Sequence, residues 1–166
     1  MQLNLEVLEK YKESFLKWYP DGKGFDHPEY LVGERNYKDE LVEAFKADAS
    51  HFFPTLPRDD SDLIEVADSL ISLFSRPLKY NNKAATMLVG WRYWNFARIL
   101  DDVGKVAFAR AIRALLDETG PLSERVEEFQ KDIETLASAV KEKAGPAMKR
   151  SVTSFFLFLS DPSKYV

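Results

Sequence analysis

The sequence predicts an all-α protein, a single-domain bundle of about seven helices. Three observations carry that expectation. Apolar residues recur at three- and four-residue steps along most of the chain, and no segment shows sustained strand alternation. The apolar stripes are separated by short clusters of Pro, Gly and Asn, which break helices. The chain has 166 residues, 45% of them hydrophobic, which suffices for one buried core.

Leu5, Leu8, Tyr11, Phe15, Leu16 and Tyr19 place a first helix over 3–18. Pro20-Asp21-Gly22-Lys23-Gly24 ends it with a turn sequence, and 25–33 reads as an irregular connection. Tyr37, Leu41, Ala44, Phe45, Ala49 and Phe52 form a second stripe, stopped by Pro54. Asp62 and Glu65 stand at capping-box spacing, and Ser61 is another candidate cap. The third helix follows, with Leu63, Val66, Ala67, Leu70, Ile71 and Phe74 on one face and Arg76-Pro77 as its end.

Asn81-Asn82 marks a loop. A fourth helix is expected from about 84 to 100, with Gly90 as its weak point. A fifth is expected over 102–117, with Phe108, Ala111, Ile112 and Leu115 inward. Gly120-Pro121 breaks the chain. Leu122, Val126, Phe129, Ile133, Leu136 and Val140 then alternate steps of four and three, a 3.5-residue repeat that favours shallow packing on a neighbouring helix. Beyond Gly145-Pro146, Met148, Val152, Phe155, Phe156 and Leu159 predict a last helix, with a buried strand over 151–159 as the alternative on composition.

Composition narrows the function classes. The chain lacks cysteine, which excludes a disulfide scaffold, a thiolate zinc site and a cysteine nucleophile. The N-terminus has no basic region followed by an apolar one, so no signal peptide is read. The longest apolar run, Phe155 to Leu159, is far short of the roughly 20 residues that cross a bilayer. A cytoplasmic protein with no membrane partner is the expectation.

Charge is uneven. Residues 75–113 hold eight basic and two acidic side chains, a net +6 inside a chain of net −4. Such asymmetry points to a face for an anion, with nucleic acid first. On a helix through 91–98, Trp91, Trp94 and Arg98 share one face, while Arg92, Asn95, Phe96 and Ile99 share another. Phe96 with Ile99 is the more apolar pair and is expected to enter the core. Lys79, Lys83, Arg92, Arg98, Lys105, Arg110 and Arg113 are then candidates for phosphate contact, and Trp91, Trp94 and Asn95 for base contact. The competing expectation is that both tryptophans are core and that arginine stems pack over them. Arg98 with Asp102 and Arg113 with Asp117 also stand at the spacing of helical ion pairs.

No reacting constellation emerges. His27 and His51 fit no ligand pattern, and neither a glycine-rich phosphate loop nor a Gly-x-Ser-x-Gly elbow is present. Asp59, Asp60 and Asp62 read as helix-capping carboxylates before they read as a cation site. Pro20-Asp21-Gly22-Lys23 compresses nuclease-like residues into one turn, where they cannot converge on a strand-supported cation. The expectation is a domain that is not an enzyme and carries no cofactor.

Four pieces of the chain carry a family resemblance. They are Glu34-Arg35-Asn36-Tyr37-Lys38, Asn95-Phe96-Ala97-Arg98 after a Trp-Arg pair, Gly120-Pro121-Leu122-Ser123-Glu124-Arg125 with Phe129, and Phe158-Leu159-Ser160-Asp161-Pro162 with Tyr165. In this order they resemble the helical N-terminal region ahead of McrB-type AAA+ motors, the nucleotide-hydrolysing subunits of modification-dependent restriction systems. The resemblance implies that residues 1–166 are one N-terminal domain cut from a longer chain with a C-terminal motor. It implies a targeting role in restriction or phage defence and a DNA partner, with a modified base among the targets. The alternative is a helical module that recognises a partner subunit, a phage trigger or a second copy of itself.

Overall fold

The structure is a computed structural model that describes residues 5–18, 28, 31, 35–48, 59–73 and 95–165. Among the described residues there are seven α-helices and no strand, as the apolar periodicity requires. They are α1 (Leu5–Trp18), α2 (Asn36–Asp48), α3 (Asp60–Leu73), α4 (Asn95–Arg98), α5 (Asp102–Leu116), α6 (Leu122–Ala139) and α7 (Pro146–Ser160).

Helix α5 is the centre. It packs most extensively against α6 on one side and α3 on the other, and also against α7. Helix α2 lies across α3 and α7, and α6 pairs with α7. The core between α4, α5, α6 and α7 is built from phenylalanines. Phe108 meets Phe96 edge-on at 6.3 Å and Phe156 at 6.1 Å. Phe156 in turn meets Phe129 at 6.3 Å and Phe155 at 5.5 Å. Edge-to-face contact sets the positive ring edge against the negative face of the next ring, so these rings lock one another's orientation as well as burying area.

The local chemistry explains the boundaries. Asp101 has extended backbone and its carboxylate accepts from the Gly104 amide at 2.8 Å, capping α5. A Cβ on Gly104 would lie 2.9 Å from Leu100 Cδ2, the end of a side chain that can shift, and 3.2 Å from Asp101 Oδ1, so glycine there leaves room around the cap. The cap of α3 is neither Ser61 nor Asp62. Asp59 holds that place, its carboxylate accepting from the Asp62 amide at 3.0 Å. Helix α6 ends in a Schellman turn. The Lys141 amide donates to the Ser138 carbonyl at 3.0 Å and the Glu142 amide to Ala137 at 2.8 Å. Lys141 itself takes the left-handed conformation, φ 62°, that glycine fills most cheaply.

The 3.5-residue repeat of α6 behaves as expected at its middle. Phe129, Ile133 and Leu136 are buried and Val126 and Val140 half-buried, while Leu122 at the start is exposed. The strand alternative for 151–159 fails. Val152, Phe155, Phe156, Leu157 and Leu159 are all buried because α7 is wedged between α2, α5 and α6, so a helix apolar on most of its circumference is the stable solution. Helix α1 departs from expectation in another way: Tyr11 and Leu16 from its stripe remain exposed, as does Val7.

Candidate nucleic-acid interface

Lys79, Lys83, Trp91, Arg92 and Trp94 lie outside the described residues, as do His27, His51 and the turn at 20–24. Asn95 opens α4, with its side chain likewise outside what is described. Four of the candidate residues, Arg98, Lys105, Arg110 and Arg113, have described side chains.

Their surroundings differ from a row of free cations. Lys105 Nζ sits 2.8 Å from Asp68 Oδ1 of α3, and that hydrogen bond raises the lysine above its ordinary pKa. Arg110 Nη2 donates to Asp60 Oδ1, also on α3, at 2.9 Å. Arg113 is half-buried, and its Nη1 is enclosed without a hydrogen-bond partner. Arg98 alone of the four is exposed with no ion pair among the described residues.

The pairs expected inside single helices do not form. Asp117 accepts from the Thr119 amide at 3.1 Å instead, and that bond lowers its pKa first, with the charge of Arg113 a smaller cause. The cations of α5 reach across to α3 because both helices present their charged flanks along a shared seam. A phosphate approaching Lys105 or Arg110 would therefore meet Asp68 and Asp60 as well.

The apolar face is also not where helical projection put it. Phe96, Ala97 and Leu100 are buried, whereas Ile99 is 58% exposed. Helix α4 ends at Arg98, so Ile99 sits in a turn and no longer follows the phase of Phe96. Val103, in the first turn of α5, is 78% exposed. It lines a shallow cleft of about 280 Å³ together with Ile64, Val106 and Ala107 and the charged Asp60, Asp102 and Arg110.

The acid cluster also resolves into structure. Asp59 caps α3 and Asp60 holds Arg110. Among the described residues no three His, Cys, Asp or Glu side chains are grouped to hold a metal ion.

Two of the four motifs behind the resemblance hold turns. Arg125 donates from Nε to the Gly120 carbonyl at 3.1 Å and from Nη1 to the Leu115 carbonyl, stapling the α5–α6 turn. Asp161 accepts from the Ser163 amide at 3.0 Å and its hydroxyl at 2.6 Å, shaping the turn after α7. That turn brings Lys164 Nζ to 2.6 Å and the Tyr165 hydroxyl to 3.0 Å from Glu118 Oε1. Sequence reasoning gave Glu118, Arg125 and Asp161 no roles of their own. Their signal was present, since Arg125, Asp161 and Tyr165 sit inside the quoted motifs.

Comparisons with protein families, with curated proteins and with solved structures find no match. Among the described residues no helix is long and apolar enough to cross a membrane.

Proposed function

We propose that this chain is a non-catalytic targeting domain of a restriction or phage-defence AAA+ protein, and that it docks a partner protein at the α4–α5 junction. The supporting observation is the exposure of Ile99 and Val103, four residues apart at this junction, with Val103 lining the shallow cleft together with Ile64. Of the neighbouring charges, Arg110 is matched by Asp60. An apolar centre with a rim of charged and polar groups has the anatomy of a protein interface. Arg98 stands at the edge of this ridge, and arginine is enriched among residues that dominate binding.

The second reading is DNA binding through residues 75–113. It is favoured by the net +6 of that segment and by the exposed guanidinium of Arg98. Phosphate contacts release counterions, so binding of this kind weakens steeply with salt.

One set of variants separates the two. Fluorescence anisotropy with labelled duplex and single-stranded DNA is measured at two salt concentrations, on the wild type and on Arg92→Ala/Arg98→Ala. Capture of partners from the expressing host, and self-association by light scattering, are compared between wild type and Val103→Asp. Protein docking expects no DNA binding at low salt and an association that Val103→Asp abolishes. Salt-steep DNA binding lost in the arginine double variant would overturn docking in favour of DNA.

A further inference from the structure

A second cleft, of about 550 Å³, lies between α2 and α7, outside the basic segment and away from the ridge residues. Its volume falls within the range of small-molecule sites. Lys38 of α2 and Arg150 of α7 line it, together with Ser151 and Ser154. Phe155, Phe158 and Tyr165 supply ring surface.

Neighbouring cations on the same helices are matched by carboxylates. Lys149, next to Arg150, pairs with Glu134 at 2.8 Å, and Arg35, one turn before Lys38, pairs with Asp39 at 3.9 Å. Neither Lys38 nor Arg150 has a carboxylate partner among the described residues, and the described residues lining the cleft include no carboxylate. Lys38 lies instead over the Tyr37 ring, 5.7 Å from its centroid.

The hydroxyls show the same contrast. Thr153 and Ser160 bond back to carbonyls of their own helix at 2.7 Å. Ser151 and Ser154, one turn apart on the cleft side of α7, make no such bond among the described residues. Tyr165 is fixed at the rim by the bond from its hydroxyl to Glu118 and by Lys164 over its ring at 5.2 Å. The cleft therefore offers two cations and two hydroxyls beside aromatic rings, one of them held in place.

We infer that this cleft binds a nucleoside monophosphate, with the phosphate on Lys38 and Arg150 and the planar base against Phe158 and Tyr165. Cationic donors hold phosphate oxygens through charge-assisted hydrogen bonds. Rings stack on any base, which gives base-tolerant recognition. The same chemistry is offered by a free nucleotide and by the 5′-phosphorylated end of a strand. This inference is independent of the docking ridge, whose residues line a different cleft.

The test titrates the chain with each of the four nucleoside 5′-monophosphates, following amide shifts by NMR. Inorganic phosphate, the unphosphorylated nucleosides, and 5′-phosphorylated and 5′-hydroxyl oligonucleotides form the comparison arms. The expected result is saturable binding of the monophosphates with shifts centred on α7. Phosphate alone and nucleoside alone should each bind at least about tenfold more weakly. Arg150→Ala and Lys38→Ala should each lower affinity by about tenfold, the weight of one charged hydrogen bond. Circular dichroism checks that each variant remains folded, as the exposure of Arg150 leads one to expect. If the 5′-phosphorylated oligonucleotide binds as tightly as the mononucleotide, the source is a strand end; if only the mononucleotide binds, it is a free nucleotide. Absence of saturable monophosphate binding, or binding unchanged in both variants, overturns the inference.

Discussion

Helix α5 has two sides, and they are held by different physics. Towards α4, α6 and α7 it presents Phe108 to four other phenylalanines, directly or through Phe156, in a connected set of edge-to-face contacts. Towards α3 it buries Val106 and Ala109, but the rim of that contact is made by Lys105–Asp68 and Arg110–Asp60. The aromatic side removes area from water and leaves rings little freedom. The charged side gains little in free energy, because ion pairs this exposed trade hydration for Coulomb attraction at near parity. The α3 rim therefore specifies which helix lies beside α5, and the phenylalanine side supplies stability.

The sharpest way to break this comparison is Phe156→Ala. It removes the ring shared by Phe108, Phe129 and Phe155, and should cost about 3–5 kcal/mol by chemical denaturation, the range for buried phenylalanine truncations. Next comes Arg125→Met, which keeps much of the stem but leaves the Gly120 and Leu115 carbonyls without their charged donor. A loss of about 2 kcal/mol is expected in the same measurement. At the α3 rim, a double-mutant cycle on Lys105→Met and Asp68→Asn should return a coupling below about 1 kcal/mol. A coupling as large as the Phe156 effect would erase the distinction between the two sides.

The smallest effect is one of pH. Glu118 is held below its ordinary pKa, first by the bond from Lys164 and then by that from Tyr165. A carboxylate with a depressed folded-state pKa contributes stability that is present above its ordinary value and lost as pH falls through the lower one. The tie should thus be intact at neutral pH and weaken below about pH 4.5. Glu118→Gln should flatten that part of the acid limb of a thermal-stability profile, and an unchanged limb would show that the tie adds nothing.

How much of this was legible in the sequence varied with the range of the interaction. The middle of the α6 seam was readable, because Phe129, Ile133 and Leu136 obey one period and burial follows period. The α3 cap is open in the sequence among Asp59, Asp60, Ser61 and Asp62, because each offers a suitable oxygen within one turn and only backbone geometry selects Asp59. Ile99 was misplaced because a helical projection assumes that the helix continues, and α4 stops one residue earlier. The engagement of Lys105 and Arg110 was not legible at all. Local spacing pointed to partners inside one helix, while the actual partners, Asp68 and Asp60, come from another. Candidate phosphate contacts read from composition are vulnerable to this, since composition counts charges without their partners.

The tie from Lys164 and Tyr165 to Glu118 spans 46 and 47 residues of sequence. It closes a ring that contains all of α6 and α7, with the α5–α6 turn at one end and the turn after α7 at the other. Both helices also pack on α5 and on each other, so opening one uncovers the buried face of the other. Opening should then be all-or-none, so amides in the middle of α6 and α7 exchange with solvent at one common rate and do not fray from the chain terminus inward.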